Sequence, residues 1–325
     1  MTFDAVLLIS FGGPQGRDDI RPFLANVLRG RRVTPERVED VAHHYELFDG
    51  VSPITEITQR QAAGLRERLA AAGHPLPVYV GMRNWHPFLA DTLREMHADG
   101  VRRAIGFIAA AQHSYSSCQQ YRENVTGARE ELTRAGAGDI DVTYVGSWFD
   151  HPLFIAANAS HVRAARARLP EAVRASARLV FTAHSIPASM AERSQYREQL
   201  QASARLVAAE AGMPDWALVY QSRSGRPEDP WLEPDVCAYL RQSRAEGLAA
   251  AVLCPIGFVC DHIEVLYDLD REAAEACRDV GLAMTRAESV NDDPRFLDMM
   301  TDVVTKTIRR YESGRPLPIT SRGGA

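Results

Sequence analysis

Leu179-Val-Phe-Thr-Ala-His184-Ser-Ile-Pro187 is an apolar run that ends abruptly at a histidine, after which a serine and a proline turn the chain. A short apolar run of this kind is typical of a strand buried on both faces of a parallel sheet. Ligands in such α/β folds bind beyond the carboxyl ends of the strands. His184 is therefore a candidate metal ligand or proton acceptor, because a neutral imidazole can do either near neutral pH. The alternative is a histidine that only caps the strand end by hydrogen bonds.

Strand-like and helix-like segments alternate along the rest of the chain. Further strands are predicted at 5–10, 78–81, 103–109, 142–145, 217–221 and 249–255. This alternation predicts an α/β fold of two similar Rossmann-like domains, each a parallel sheet flanked by helices, with an active-site cleft between them. We expect a first domain at 1–145, completed by a C-terminal helix at 294–312, and a second domain at 146–293. Residues 313–325, rich in Pro, Gly, Ser and Arg, are expected to form a flexible tail.

Composition and charge argue against several classes of protein. The 325 residues carry a formal net charge of −5, and the nearest approach to a basic tract is the short run Arg29-Gly-Arg31-Arg32, so nucleic-acid binding is not expected. Gly12-Gly13 lacks the spacing of a dinucleotide-binding loop. No apolar run reaches the length of a membrane span, and the N-terminus carries an acid where a signal peptide has Lys or Arg. We expect a cytoplasmic monomer.

The acidic residues Glu264, Asp268 and Glu272 recur every four positions. On a helix this spacing places three carboxylates on one face, where like charges destabilise the helix unless a cation or a proton relieves them. Oxygen ligands of this kind suit a weakly held Fe²⁺ or Mg²⁺ better than a trapped Zn²⁺. The alternative is the solvated face of an amphipathic helix.

Several other residues are candidates on weaker grounds. Trp231 lies in a Gly- and Pro-rich segment, where it either fills the core or stacks on a flat ligand. Ser52 lies in a predicted turn, and Tyr121 ends a hydroxyl-rich stretch after a strand that could equally be a helix N-cap region. Both could hydrogen-bond carboxylates, as could Arg29. The five cysteines are an odd number without a Cys-x-x-Cys pair, which favours free thiols. Of these, Cys254 and Cys260 flank Pro255-Ile-Gly-Phe258, and either could border a site without being a ligand.

Five motifs together resemble the ferrochelatases, and most closely their actinobacterial form. They are Ser-Phe-Gly-Gly-Pro at 10–14, Gly-Val-Ser-Pro-Ile at 50–54, Thr-Ala-His-Ser-Ile-Pro at 182–187, Gln-Ser-Arg-Ser-Gly with Pro-Trp-Leu-Glu-Pro at 221–234, and Pro-Ile-Gly-Phe-Val-Cys-Asp-His-Ile-Glu-Val-Leu-Tyr-Asp-Leu-Asp at 255–270. The resemblance runs in order from about residue 3 to residue 312. It implies insertion of Fe²⁺ into a porphyrin with release of two protons, within heme biosynthesis.

The resemblance also assigns roles to residues. It implies that His184 lies over the porphyrin face with Glu264 opposite or beside it, and that Asp268 and Glu272 relay metal or protons. Porphyrin contacts are implied for the residues at the motif positions and for the basic cluster: Phe11, Arg29, Ser52, Tyr121 and Trp231. Some relatives have a tyrosine as an axial iron ligand where this chain has Phe11, which cannot bind iron.

The substrate is expected to be coproporphyrin III, with protoporphyrin IX as the alternative. A non-catalytic tetrapyrrole or metal carrier and a cobalt or nickel chelatase remain less favoured alternatives. No resident cofactor is expected, since Fe²⁺ is a substrate. No cysteine follows Cys277, so we do not expect the [2Fe–2S] cluster that many relatives hold. The next enzyme of heme biosynthesis is a candidate partner.

Overall fold

The computed structural model describes residues 2–30, 33–224 and 228–314. They form two four-stranded sheets, and every strand pair in both sheets is parallel. The strands are β1 (Ala5–Ser10), β2 (Val78–Met82), β3 (Arg103–Ile108), β4 (Asp141–Tyr144), β5 (Arg178–His184), β6 (Trp216–Gln221), β7 (Ala250–Cys254) and β8 (Ala283–Arg286).

Helices cover both sheets. The helices in the described ranges are α1 (Ile20–Val27), α2 (Pro35–Glu46), α3 (Ile54–Ala71), α4 (Leu89–Ala98), α5 (Gln120–Arg134), α6 (Pro152–Ala167), α7 (Glu171–Arg174), α8 (Ala188–Glu192), α9 (Tyr196–Ala211), α10 (Val236–Ala245), α11 (Ile263–Tyr267), α12 (Ala274–Val280) and α13 (Pro294–Glu312). A 3₁₀ turn at Arg17–Asp19 precedes α1, and π-helical turns at Tyr115–Gln119 and Asp268–Ala273 precede α5 and α12. None of the described helices has the length and hydropathy that a membrane span requires.

The two sheets have the same topology. The first has the order β2-β1-β3-β4 and the second the order β6-β5-β7-β8. In each sheet the second strand pairs with one side of the first strand, and the third strand pairs with its other side. The order of the strands therefore reverses at β1 and at β5, which lie at the two topological switch points. All six residues of β1 are buried, as expected for a central parallel strand. The prediction of two similar Rossmann-like sheets is confirmed.

Helix α13 packs against elements of both halves. Arg68 of α3 forms an ion pair with Asp298 at 2.7 Å, and the ring of Tyr311 meets that of Phe3 edge-on at 5.2 Å between centroids. On its other side, Asp302 accepts a hydrogen bond from His151, which caps α6, at 2.8 Å. The domain boundaries at 145 and 293 stay predictions. The expected tail lies outside the described residues from Arg315 onward.

Helices α2 and α3 and strand β8 were not predicted from the sequence. Helix α2 starts at Pro35 after Thr34, whose hydroxyl accepts a hydrogen bond from the Arg37 amide, and it buries only Ala42 and Tyr45. Its apolar residues Val38, Val41, Ala42 and Tyr45 recur at helical spacing and pack into one cluster, a pattern that the sequence analysis overlooked. The position of the helix next to the second half becomes clear only in the fold.

Candidate active site

His184 is the last residue of β5 and pairs in register with Gln221, the last residue of β6. The ring Nδ1 contacts the carbonyl oxygen of Ser185, and the main-chain carbonyl of His184 accepts a hydrogen bond from Tyr196 Oη at 3.1 Å. A carbonyl can only accept, so Nδ1 must carry the proton of that contact. In the neutral ring, Nε2 therefore keeps its lone pair, and it is free to bind a metal ion or to take up a proton.

Glu264 is the partner that Nε2 of His184 faces. Its Oε2 lies 3.7 Å from that nitrogen, longer than a direct hydrogen bond, and the two side chains are 34% and 42% exposed. Helix α11 places the carboxylate there, because His262 caps the helix by accepting a hydrogen bond from the Val265 amide on its Nδ1 at 3.2 Å. An incoming ligand can thus reach a lone-pair nitrogen and a carboxylate together.

Asp268 lies behind this pair and is 9% exposed. Its Oδ2 accepts hydrogen bonds from Gln221 Nε2 at 3.1 Å and from the hydroxyl of Ser222. Burial raises the pKa of Asp268 to about 8, and the charges of Glu264 and Glu272 add to the rise while the two donors oppose it. The pKa of Glu272 is also raised, first by burial and then by the charge of Asp235. Asp268 is therefore a carboxylic acid that holds its proton at neutral pH.

The acid row is not carried by one regular α-helix. Glu264 lies in α11, whereas Asp268 and Glu272 lie in the π-helical turn that follows. Over four residues an α-helix rotates about 40° beyond a full turn. A π turn has i→i+5 hydrogen bonds and therefore more residues per turn. The four residues from Asp268 to Glu272 thus rotate less about the helix axis than four residues of an α-helix. The three acids also differ in exposure, since Asp268 is buried and Glu272 is exposed, so their alignment on one side stays a prediction.

Helix α2 brings residues that the sequence analysis missed. The ring of His44 stacks on that of Tyr267 with centroids 3.6 Å apart. Burial lowers the pKa of His44, while the charge of Glu264 acts against this effect. The pKa of Tyr45 is raised, mainly by burial and further by the charge of Glu264. The first half of the chain therefore supplies a neutral aromatic wall beside Glu264.

His262 is a second histidine near the site that the sequence analysis did not assign. Burial lowers its pKa, the charge of Glu264 opposes the shift, and His184 contributes to it. His262 was visible in the sequence as the histidine of the quoted Asp-His-Ile-Glu motif. Its capping role could not be derived without knowing that α11 begins at the next residue.

Phe11 and Ser52 lie beyond the end of β1, at the corresponding edge of the first sheet. Phe11 is partly buried and meets Phe23 edge-on at 6.2 Å, and it offers no atom that can bind iron. Ser52 is 3% exposed and lies against Gly13, where a Cβ atom would stand 2.7 Å from the serine Oγ. The glycine therefore makes room for the serine side chain.

Tyr121 lies on α5 beyond the end of β3. It is 7% exposed, burial raises its pKa, and the guanidinium of Arg83 lies 5.8 Å from its ring centroid and opposes that rise. Arg29 is exposed past the end of α1, where it donates to Asn26 Oδ1 at 2.8 Å. The other two basic residues of the predicted cluster, at 31 and 32, lie outside the described residues.

Trp231 borders the turn that follows His184. It is partly buried and forms an isolated antiparallel bridge with Pro187, and the next residue, Leu232, donates its amide to the Ile186 carbonyl at 3.0 Å. The segment after β6 is thereby held against the strand end that carries His184.

Cys254 and Cys260 are buried thiols. Burial raises the pKa of Cys260 to about 12 and also raises that of Cys254. Gln61 Nε2 donates to Cys260 Sγ at 3.2 Å, so the sulfur is engaged in the core. Both thiols stay protonated at neutral pH, which makes them poor nucleophiles and poor metal ligands.

The structure thus brings His184, Glu264, Asp268 and Glu272 together at the carboxyl edge of the second sheet. Ser52, Tyr121 and Phe11 lie at the carboxyl edge of the first sheet. Within the described ranges, no three His, Cys, Asp or Glu side chains form a ready-made metal-binding group.

Solved structures of a chelatase share this fold. The sirohydrochlorin chelatase SirB from Bacillus subtilis subspecies spizizenii, in complex with cobalt, superposes with a TM-score of 0.56 at 11% identity, covering 96% of this chain and 98% of that one. SirB from Bacillus subtilis with Fe³⁺ gives a TM-score of 0.57 at 10% identity, covering 96% and 98%. At such identity the likeness concerns the fold alone.

Sequence relatives are much closer. A ferrochelatase from Rhodopirellula baltica is 50% identical over 94% of this chain and 86% of its own length. A coproporphyrin III ferrochelatase from Mycolicibacterium smegmatis is 45% identical over 98% of this chain and 95% of its own length. The profile of the family Ferrochelatase matches residues 3–308. The chain belongs to the ferrochelatase family.

Proposed function

We propose that this protein inserts Fe²⁺ into coproporphyrin III to give Fe-coproporphyrin III, as a step of heme biosynthesis. The observation that carries the proposal is the similarity of 98% of the chain, at 45% identity, to a coproporphyrin III ferrochelatase. The facing pair of His184 and Glu264 supports it, because metal insertion needs both a proton acceptor and an anionic group at the macrocycle.

His184 is proposed to act through Nε2. Insertion releases two pyrrole protons, and this nitrogen lies 3.7 Å from Glu264 Oε2. That distance leaves room for a proton or a metal ion between the two groups. Either His184 accepts a proton that Glu264 then stabilises, or the pair guides iron to the ring.

Asp268 and Glu272, which lie behind the pair, are proposed to relay iron or protons. Asp268 holds a proton at neutral pH, because its pKa is raised to about 8. A group with a pKa near the working pH can both take up and release a proton. Glu272 lies further along the same segment, where it would exchange protons or iron with the surroundings.

The porphyrin periphery is proposed to contact the first half of the chain. Ser52 and Tyr121 offer hydroxyl groups to propionates, and Arg29 offers a guanidinium for the additional carboxylates of coproporphyrin III. Trp231 and Phe11 offer apolar surface to the ring. Binding energy from the periphery would help to distort the planar macrocycle and expose its nitrogens.

The proposal includes three statements about the state of the protein. It works as a cytoplasmic monomer, it needs no resident cofactor or [2Fe–2S] cluster, and it passes its product to the next enzyme of heme biosynthesis. Cell fractionation, analytical ultracentrifugation, and iron and sulfide analysis of the purified protein test the first two statements. A pull-down with the next enzyme in the presence of Fe-coproporphyrin III tests the third.

The decisive experiment compares anaerobic Fe²⁺ insertion into coproporphyrin III and protoporphyrin IX in one assay. We expect faster turnover on coproporphyrin III. Faster turnover on protoporphyrin IX would reassign the substrate. Stoichiometric binding without insertion would indicate a carrier, and insertion of only Co²⁺ or Ni²⁺ would indicate a different chelatase.

A further inference from the structure

Arg286, the last residue of β8, binds two carboxylates near the acid row. Its Nε and Nη2 donate to the two oxygens of Asp270 at 2.7 and 2.8 Å, and its Nη1 donates to Asp261 Oδ1 at 3.0 Å. The arginine side chain is only 11% exposed. Bidentate contacts of a guanidinium with a carboxylate are directional as well as strong. One rigid planar group therefore links two points of the chain in a fixed geometry.

These two points lie on either side of Glu264 and Asp268. Asp261 is three residues before Glu264, and Asp270 is two residues after Asp268. Between them the segment changes from α-helical to π-helical geometry. The position of each acidic side chain depends on where the α-helix changes to the π turn. Anchoring the chain at Asp261 and Asp270 therefore determines which residues face the ends of the strands.

Asp261 is itself held by the loop that precedes α13. Asn291 Nδ2 donates to Asp261 Oδ2 at 3.1 Å, and the Asp261 amide donates back to Asn291 Oδ1 at 2.8 Å. The Asn291 carbonyl also accepts a hydrogen bond from Gln61 of α3 at 2.7 Å. Asn291 has a φ of 45°, in the left-handed region that asparagine tolerates. The arginine anchor is thus continuous with the first half of the chain.

We propose that Arg286 is a positioning residue for metal insertion. It fixes the segment between Asp261 and Asp270, so that Glu264 stays beside His184 and Asp268 stays beside Gln221. The inference rests on the proposed function. Arg286 acts through the two aspartates that it binds, and its role requires the forked guanidinium rather than positive charge alone.

The test uses Arg286→Lys, Arg286→Gln and Asp270→Asn. Asp270→Asn removes the bidentate contact, and the buried Arg286 keeps its ion pair with Asp261 at 3.0 Å, so no unpaired charge is left. The control is Arg178→Lys. Arg178 is the first residue of β5, at the amino ends of the strands of the same sheet, and its Nε contacts both carboxylate oxygens of Asp215. Each variant is assayed for kcat, for the KM of iron and of porphyrin, and for hydrogen exchange of peptides covering 261–275.

We expect Asp270→Asn to lower kcat about tenfold and Arg286→Gln up to about 100-fold, since a misplacement near 1 Å can cost that much. Arg286→Lys should recover only part of the loss, the KM for porphyrin should stay unchanged, and exchange should accelerate within 261–275. Arg178→Lys should match the wild type.

Two results would overturn the inference. In the first, the Arg286 variants and Asp270→Asn keep wild-type kcat. In the second, activity falls only together with porphyrin affinity and with protection across the whole chain, which indicates a merely structural role. Failure of the wild type to insert iron would refute the proposed function instead, and local exchange in the apo-protein would still show whether Arg286 holds the segment.

Discussion

Asp268→Asn should change how the free energy of unfolding depends on pH. In the folded protein the pKa of Asp268 is raised to about 8, whereas an aspartate in an unfolded chain titrates near 3.9. Between these values the folded state keeps a proton that the unfolded state has released, so stability is lost as pH rises. The loss is about 1.4 kcal/mol per pH unit, or on the order of 3 kcal/mol between pH 5 and pH 7. Asparagine has no such proton. The free energy of unfolding of Asp268→Asn, relative to that of the wild type, should therefore rise by that amount between pH 5 and pH 7.

Urea unfolding followed by tryptophan fluorescence at pH 5, 6 and 7 measures this difference. Asp139→Asn is a matched control, because hydrogen bonding to Arg129 lowers the pKa of Asp139, and its titration therefore lies below the range tested. If the difference between wild type and Asp268→Asn stays constant from pH 5 to pH 7, Asp268 is ionised in the folded protein and the assignment of a buried neutral acid is wrong.

Three further changes probe the site. His184→Ala should abolish iron insertion, because it removes the lone pair of Nε2, while porphyrin binding measured by fluorescence persists; normal turnover would contradict its role. Glu272→Gln should slow turnover mainly at limiting iron, and an iron dependence like that of the wild type would argue against a relay. Gly13→Ala should weaken porphyrin binding about tenfold, since its Cβ would stand 2.5 Å from Ser52 Cβ and displace that side chain. The control Gly127→Ala meets nothing within 4 Å in α5, and equal affinities of the two variants would rule out the crowding argument.

The sequence predicted the parts of the site that depend on local patterns. His184 ends an apolar run, and Glu264 belongs to a regular acidic spacing, so both could be named as candidates before the fold was known. The parallel sheets followed from apolar runs alternating with helical segments. These features are determined by residues close together in the chain.

Other parts depend on contacts between distant segments and were not predicted. The pKa of Asp268 is raised because its side chain is buried and because the charges of Glu264 and Glu272 lie near it, and this burial comes from the fold. The periodicity of helix α2 predicts a helix, but it does not show that the helix contacts α11 through His44 and Tyr267. The π turn also left no recognisable mark in a row of acids with regular spacing.

The position of α13 has a consequence for the order in which the protein folds. Arg68 and Asp298 form an ion pair although they are 230 positions apart, and Leu297 approaches so closely that a Cβ on Gly64 would lie 2.5 Å from it. Contacts between such distant residues form late, because a long loop must close before they stabilise anything. During synthesis α3 emerges early but must wait for α13 to cover its apolar face, so the part of the protein made first is among the last to be completed.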